Sequence, residues 1–239
     1  VRDLDHSVLA IQGPPGTGKT YVSGLAIVDL IAEGRRVAVS SNSHKAIGNL
    51  LRATVAHARS HGVKPMVVQK TSDDDDEDAS ETGVVTVDDN DAPEIGQAKV
   101  VGATAWHFAR YAEPAFDVLV VDEAGQVSLA NLLAMARCAH SVVLVGDPMQ
   151  LPQPLQGVHP GMSGQSCLEY LIGDHRVVPA DRGIFMPVSR RMHPDVCSFI
   201  SHAVYQGQLR SDDGAAAQTL TSSRDGANLA GPRLQPGRH

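Results

Sequence analysis

Residues 13–20 read GPPGTGKT, and this stretch limits what the chain can fold into more than any other. Gly13, Gly16 and Gly18 let the backbone reverse tightly without Cβ clashes. The apolar run SVLAIQG (7–13) reads as a buried strand, and a helical pattern from about Tyr21 to Glu33 follows and stops at Gly34. Strand, glycine turn and helix make a βα unit, and a strand apolar on both faces must be covered on both sides. The pattern recurs. RRVAVSSN (35–42), VKPMVVQ (63–69), AKVVGATAW (98–106), FDVLVVDEAG (116–125) and HSVVLVGD (140–147) are further short Val-rich runs, and a second helical pattern covers about His44 to Ser60. The expectation is an α/β chain with a mostly parallel sheet and helices on both faces.

Composition sets the boundaries. TSDDDDEDASETG opens an acidic stretch too poor in apolar residues to order itself, so 71–97 is expected to be a mobile loop or insertion. Residues 73–94 hold 11 of the 27 acidic residues and no Lys or Arg; the rest of the chain carries 20 basic against 16 acidic residues. A mildly basic body is compatible with a polyanionic partner without demanding one. The main domain is expected over 1–186, with a new segment beginning at Pro187. Residues 211–239 are rich in Ser, Ala, Gly and Asp without periodicity, and disorder is expected there. Cys138, Cys167 and Cys197 fit neither a zinc site nor a disulfide framework and read as reduced thiols of a cytoplasmic protein. No apolar run approaches a membrane span, so no membrane partner is expected. Val1 is not a start methionine, and the chain reads as a piece of something longer.

The chemistry begins at the loop. GPPGTGKT fits G-x-x-x-x-G-K-[ST] in the context that pattern requires, between strand and helix. Residues Gly13, Pro14, Pro15, Gly16, Thr17, Gly18, Lys19 and Thr20 would wrap backbone N–H groups around phosphate oxygens at the positive end of the helix. Lys19 would reach the β- and γ-phosphates, and the Thr20 hydroxyl would ligate Mg²⁺. Alone, a glycine-rich turn of purely structural origin could fit the pattern.

VLVVDEAGQ (118–126) ends an apolar strand in two carboxylates, at the edge where open α/β sheets present ligands. Asp122 would hold Mg²⁺ and Glu123 would act on an attacking water as general base. Such a pair can also merely cap the next helix; beside a phosphate loop it gains meaning, because a metal–triphosphate needs both. LVGDPMQLPQP (144–154) ends another strand with Gln150 among Pro148, Pro152 and Pro154. A fixed amide there can donate to a γ-phosphate oxygen or orient the water. A solvated glutamine on a stiff surface turn is the plainer alternative.

Taken in order, GPPGTGKT, DEAGQ, GDPMQLPQ and RRMHP resemble the motifs of superfamily 1 helicases, over about residues 7–209. The branch is that of the nonsense-decay RNA helicase and the eukaryotic replication helicase–nuclease. The segments 140–173 and 190–201 look most like bacterial members fused to a RecB-like nuclease. The resemblance implies a RecA-like P-loop NTPase that uses ATP and Mg²⁺ and acts on single-stranded DNA or RNA. It implies that Arg191 reaches the phosphates from a second RecA-like domain. SNSHKAI (41–47) matches motif Ia and implies that Ser43 and His44 touch the nucleic-acid backbone. GATAW (102–106) matches the next motif and implies roles for Thr104 and Trp106. Physically, hydroxyls at strand ends suit phosphate and an aromatic suits a base. Core packing for Trp106, and an ordinary helix start for His44, are the rival readings.

The chain also departs from the family. Gln-Tyr commonly precedes Arg-Met-His-Pro, whereas here Ser189 and Arg190 do. Arg190 could stack on the base by cation–π contact instead. The adenine-reading glutamine would precede Val1, and the later motifs of the second domain have no counterpart. The expectation is therefore a chain that binds ATP–Mg²⁺, turns it over slowly or not at all, and does not unwind alone. Rival classes are a generic P-loop ATPase or nucleotide kinase, and a nucleotide-dependent interaction module without catalysis.

Overall fold

A computed structural model describes residues 1–72, 82–151, 157 and 159–218, and the backbone of 220–221 and 228–229. Its centre is an eight-stranded sheet whose described pairings are all parallel. The strands are β1 (Val8–Gln12), β2 (Val37–Ser40), β3 (Val67–Lys70), β4 (Val85–Val87), β5 (Val100–Gly102), β6 (Phe116–Val121), β7 (Ala139–Gly146) and β8 (Gly183–Phe185). They lie in the order β4-β3-β5-β2-β6-β7-β1-β8. Strand β7 therefore sits between β1, which leads into the glycine loop, and β6, which ends at the two carboxylates. In register, Gln12 lies opposite Gly146, and Val121 lies opposite Leu144 and Ser40.

The apolar runs split by alternation into two layers, as the period-2 geometry of a strand demands. Ile11, Val37, Val39, Val118, Val120, Val143 and Val145 face one side, where they meet Ile27, Leu30, Ile47, Leu50 and Leu51. Those partners come from α1 (Lys19–Ala32) and α2 (His44–Ser60). Ala10, Ala38, Leu119, Val121, Val142 and Leu144 face the other side, against Phe108, Phe116, Met135, Leu168 and Ile172. The short helices α3 (Pro93–Gln97), α4 (Ala105–Phe108), α5 (Leu129–Ala136) and α6 (Cys167–Ile172) contribute to that layer. No described helix is long and apolar enough to cross a membrane.

Beyond β8 the chain leaves this sheet. Strand β9 (Val188–Ser189), helix α7 (Pro194–Val204) and strand β10 (Arg210–Ser211) form a separate parallel βαβ unit. It has its own apolar cluster of Val177, Cys197, Tyr205 and Leu209.

Two expectations need correction. The stretch 71–97 is not a loop throughout, because Val85–Val87 pairs with β3 as an edge strand and Pro93–Gln97 forms α3 with Ile95 buried. The β-branched GVVTV outweighs its acidic flanks, and an edge strand with charged neighbours is a usual way to end a sheet. Residues 73–81, the most acidic part, lie outside the described residues. Nor is 211–218 unstructured. Ser211 belongs to β10, and Asp212 caps a 3₁₀ turn, Asp213–Ala217, by accepting from Gly214 N at 3.0 Å. Leu220–Thr221 and Asn228–Leu229 pair as two short antiparallel strands; the rest of the expected disordered tail lies outside the described residues.

Candidate functional site

The glycine loop is held by its own backbone. Gly13 N donates to Gly146 O at 2.8 Å, tying the loop to the end of β7, and the Thr17 N–H and hydroxyl both donate to Pro14 O, at 3.2 and 2.8 Å. Gly16 and Gly18 have φ of 80° and 86°, a region that a side chain strains. Gly18 is the N-cap of α1 and supplies no side-chain acceptor. The first amides of α1 thus lack a side-chain cap, and the helix presents its positive end to whatever the loop encloses. Lys19 Nζ bends back to donate to Gly13 O at 2.9 Å. Thr20 follows on the first turn and lines the same opening.

The segment after β8 lies across this loop. Ser189 Oγ donates to Pro15 O at 3.0 Å, Arg190 N to Gly16 O at 2.9 Å, and Arg190 Nη1 to Thr17 O at 3.5 Å. Arg191 continues over the edge.

Asp122 ends the rise of β6, with its N–H donating to Ser40 O at 2.8 Å, and is 4% exposed. Its Oδ1 has no hydrogen-bond partner. Burial, then the neighbouring Glu123 charge, push its pKa up to about 6; a backbone hydrogen bond at Glu123 and the Lys19 ammonium pull the other way. A buried carboxylate oxygen left unpartnered is costly. Among the described residues no cluster of three or more His, Cys, Asp or Glu forms a metal cage. An orphaned carboxylate that feels the Lys19 ammonium of a phosphate-type loop suits Mg²⁺, which takes few protein ligands and completes its shell with water and phosphate oxygens. Glu123, in the left-handed region at φ 51°, lines the opening.

One cleft of ≈ 210 Å³ gathers these parts: Pro15, Gly16, Gly18, Lys19, Thr20, Tyr21, Glu123, Gln150 and Arg191 line it. They arrive from four separate stretches of chain. Gln150 is half-buried and sits on a turn in which its N–H donates to Asp147 O at 3.3 Å and Met149 N donates to Asp147 Oδ1 at 3.2 Å. Pro152 and Pro154, expected to stiffen this loop, lie outside the described residues. The turn also packs directly on the acidic strand end, since a Cβ at Gly125 would lie 2.5 Å from Asp147 O.

Residues with expected nucleic-acid roles stand on the same rim, at the ends of β2 and β5. Ser43 caps α2, accepting from Ala46 N at 3.2 Å. The His44 backbone O accepts from Gln69 Nε2 at 3.0 Å, while its Nδ1 is buried without a partner. Thr104 is the N-cap of α4 by position but makes no side-chain cap. Trp106 is 83% exposed, which excludes the core-packing alternative.

Two features were not read from the sequence. Tyr21, next to the GKT triplet, lines the cleft and meets the His57 ring edge-on at 4.6 Å. A buried trio lies behind the cleft. Tyr205 OH donates to Asp147 Oδ2 at 2.6 Å and Gln12 Nε2 reaches Asp147 Oδ1 at 3.4 Å. Gln12 is itself fixed by donating to Arg176 O at 2.9 Å and accepting from Val178 N at 2.7 Å. Gln12 adjoins the GPPGTGKT motif and Asp147 lies within GDPMQLPQ, a signal that could have marked them; nothing near Tyr205 singles it out.

The parallel sheet, the glycine loop and the acidic strand end define a RecA-like P-loop NTPase fold with a nucleotide-binding loop. Comparison with known proteins goes further. An AAA domain family model matches residues 3–162. The DNA replication ATP-dependent helicase/nuclease DNA2 of Gallus gallus is 29% identical over 219 residues, covering 86% of this chain and 21% of that protein. The probable helicase senataxin of Homo sapiens is 32% identical over 107 residues, 41% of this chain and 4% of that protein. Among solved structures, an arterivirus nonstructural protein 10 (helicase) in complex with DNA shares the fold, with a TM-score of 0.54 at 15% identity, covering 86% of this chain and 41% of that one. The chain belongs to this AAA domain family, and the relatives it resembles in sequence are named helicases. It spans about a fifth of the length of the chicken relative.

Proposed function

We propose that this chain binds ATP with Mg²⁺ in the 210 Å³ cleft and hydrolyses it in response to single-stranded nucleic acid carried on the other half of the same rim. The observation that carries the reading is the convergence of Lys19, Glu123, Gln150 and Arg191 on one opening floored by Gly16 and Gly18. On this reading Lys19 leaves the neutral Gly13 O for the anionic β- and γ-phosphate oxygens, where both partners of the bond are charged. Thr20 and Asp122 hold Mg²⁺, which neutralises phosphate charge when bound. Glu123 orients and deprotonates the attacking water, and Gln150 donates to the γ-phosphate, a contact that hydrolysis removes. Arg191 stabilises charge developing on the transferred group, and Arg190 with Tyr21 flanks the base.

The β9–α7–β10 unit starts the second RecA-like domain. Such motors move by closing two such domains on the triphosphate and opening after hydrolysis. One complete wall and the first crossover of the other make for slow turnover in this chain alone.

Phosphate release from Mg²⁺–ATP, with and without oligo-dT or oligo-rU, tests the reading. Stimulation by either oligonucleotide is expected. Turnover indifferent to both would point to a generic P-loop ATPase, and binding without turnover to a catalytically silent module. Failure to bind ATP, or undiminished binding by Lys19→Ala, would overturn it.

A further inference from the structure

Behind the cleft, Asp147 is a buried carboxylate, 2% exposed, set where β7 ends, and four parts of the chain meet on it. Gln12, the residue before the glycine loop, reaches its Oδ1. Gly125, two residues past the acidic pair, is pressed against its backbone. Its own turn closes on it, because Met149 N donates to Oδ1 and Gln150 N to the main-chain O. The fourth contact comes from outside the main sheet. Tyr205, the C-cap residue of α7, donates its hydroxyl to Oδ2 at 2.6 Å.

The strengths of these contacts are unequal. The Gln12 and Met149 donors stand at 3.4 and 3.2 Å, and the Tyr205 hydroxyl is much the closest. A short O–H···O⁻ bond is the strong kind, and removing it leaves a buried charge under-satisfied. Burial, reinforced by Asp147, keeps the phenol protonated and therefore a donor. The orientation of the carboxylate fixes which oxygen Met149 N can reach, and so the turn that carries Gln150. At its other end, α7 begins three residues after Arg191. The hydroxyl thus links the two cleft-lining groups, Gln150 and Arg191, that come from neither the glycine loop nor the acidic pair.

We propose that Tyr205 is a positioning residue: through Asp147 it couples the Gln150 turn to helix α7, so that the seat of α7 depends on whether a γ-phosphate fills the cleft. This rests on the nucleotide reading above. The coupling is reciprocal, as any linkage must be. Loosening Tyr205 therefore weakens discrimination between nucleoside tri- and diphosphate, and leaves binding of the diphosphate alone.

The test measures dissociation constants of fluorescent ATPγS and ADP with Mg²⁺ for the wild-type chain, Tyr205→Phe and Leu209→Ala. The last removes packing from the same apolar cluster and keeps the hydroxyl. Tyr205→Phe is expected to reduce the ADP-to-ATPγS ratio of dissociation constants by about tenfold, with ADP affinity within about twofold of wild type. Leu209→Ala should leave that ratio alone while lowering the melting temperature further. Amide exchange across 147–151 should quicken in Tyr205→Phe only. An unchanged ratio in Tyr205→Phe, or equal losses in both variants, would reduce the contact to fold stability and overturn the inference while leaving the nucleotide reading intact. A wild-type chain that binds neither analogue would remove the nucleotide reading and the inference with it.

Discussion

The two halves of the sheet's C-terminal rim are built by opposite means. In the glycine loop after β1 and at the end of β6, some groups are left without internal partners. Gly16 and Gly18 adopt a positive φ that any side chain would strain, α1 starts without a side-chain cap, and Asp122 Oδ1 is buried with no partner. At the ends of β2 and β5, most groups have local partners: Ser43 caps α2, His44 O receives Gln69, and Thr104 O receives His107 N at 3.1 Å. Left-handed glycine backbone over a ligand-sized cleft distinguishes the first half; a buried atom without a partner does not, since Ser40 Oγ and His44 Nδ1 at the end of β2 share that property with Asp122 Oδ1. Strain and unmet polar groups persist only where the surroundings enforce them, and they concentrate where a ligand completes them. The cleft half therefore announces a ligand by its geometry. The distal half rests on an exposed Trp106 and on the unpartnered Ser40 Oγ and His44 Nδ1.

The largest effect is expected from the cleft half. Glu123→Gln removes the base but keeps the side chain's shape. Turnover should fall by about 10²- to 10⁴-fold while ATP affinity stays within about twofold. Phosphate release under saturating ATP and a binding titration measure the two separately. Equal turnover in variant and wild type would move the base elsewhere and erase the contrast between the halves.

Next comes a property of the distal half that has no need of a ligand. His107, beside Trp106, points inward and pairs its Nδ1 with Asn90 Oδ1 at 3.0 Å. Burial, then Arg110 and Lys70, lower its pKa from 6.5 to about 4. Between those values the unfolded chain binds a proton that the folded chain does not. Its contribution is complete above about pH 6.5 and declines as pH falls toward 4, by about 2 kcal/mol at pH 5. Urea melts at pH 7 and pH 5 should show His107→Gln losing less stability over that interval than wild type by roughly this amount. Equal losses would mean that His107 titrates normally.

These contrasts explain what could be read in advance. The sheet and its two layers were legible because each central strand is apolar on both faces, a pattern few other folds tolerate. The cleft was legible because a glycine loop, an acidic strand end and an amide turn, each ambiguous alone, share one joint use around a metal–triphosphate. Strand β4 was missed because its three residues, Val85–Val87, follow an acidic run that dominates any compositional window. Tyr205 was missed for another reason: its partner lies 58 positions earlier, and nothing local sets this tyrosine apart.

A smaller effect should follow at Trp106. Its ring is in solvent, so Trp106→Ala should change stability by less than about 0.5 kcal/mol. If a base stacks there, affinity for single-stranded oligo-dT should drop by about tenfold. Anisotropy titrations at fixed salt, beside a melt of each protein, give both numbers. Loss of stability without loss of binding would make this tryptophan a packing residue after all.

The smallest expected effect, at Ser43, separates the two means of construction within one side chain. Its oxygen accepts from Ala46 N, and its hydroxyl proton is still free to be donated outward. Ser43→Ala removes both and should cost about 1 kcal/mol of stability as a lost helix cap. Ser43→Asp keeps the cap, since aspartate serves equally well there and suits the helix N-terminus. It also sets a negative charge where a phosphate would approach. Stability should therefore fall in the alanine variant and hold in the aspartate variant, while oligonucleotide affinity should fall several-fold further in the aspartate variant. If affinity instead tracked stability across the pair, Ser43 would be a cap alone, and the distal half would keep His44, Thr104 and Trp106 as points of contact with a strand.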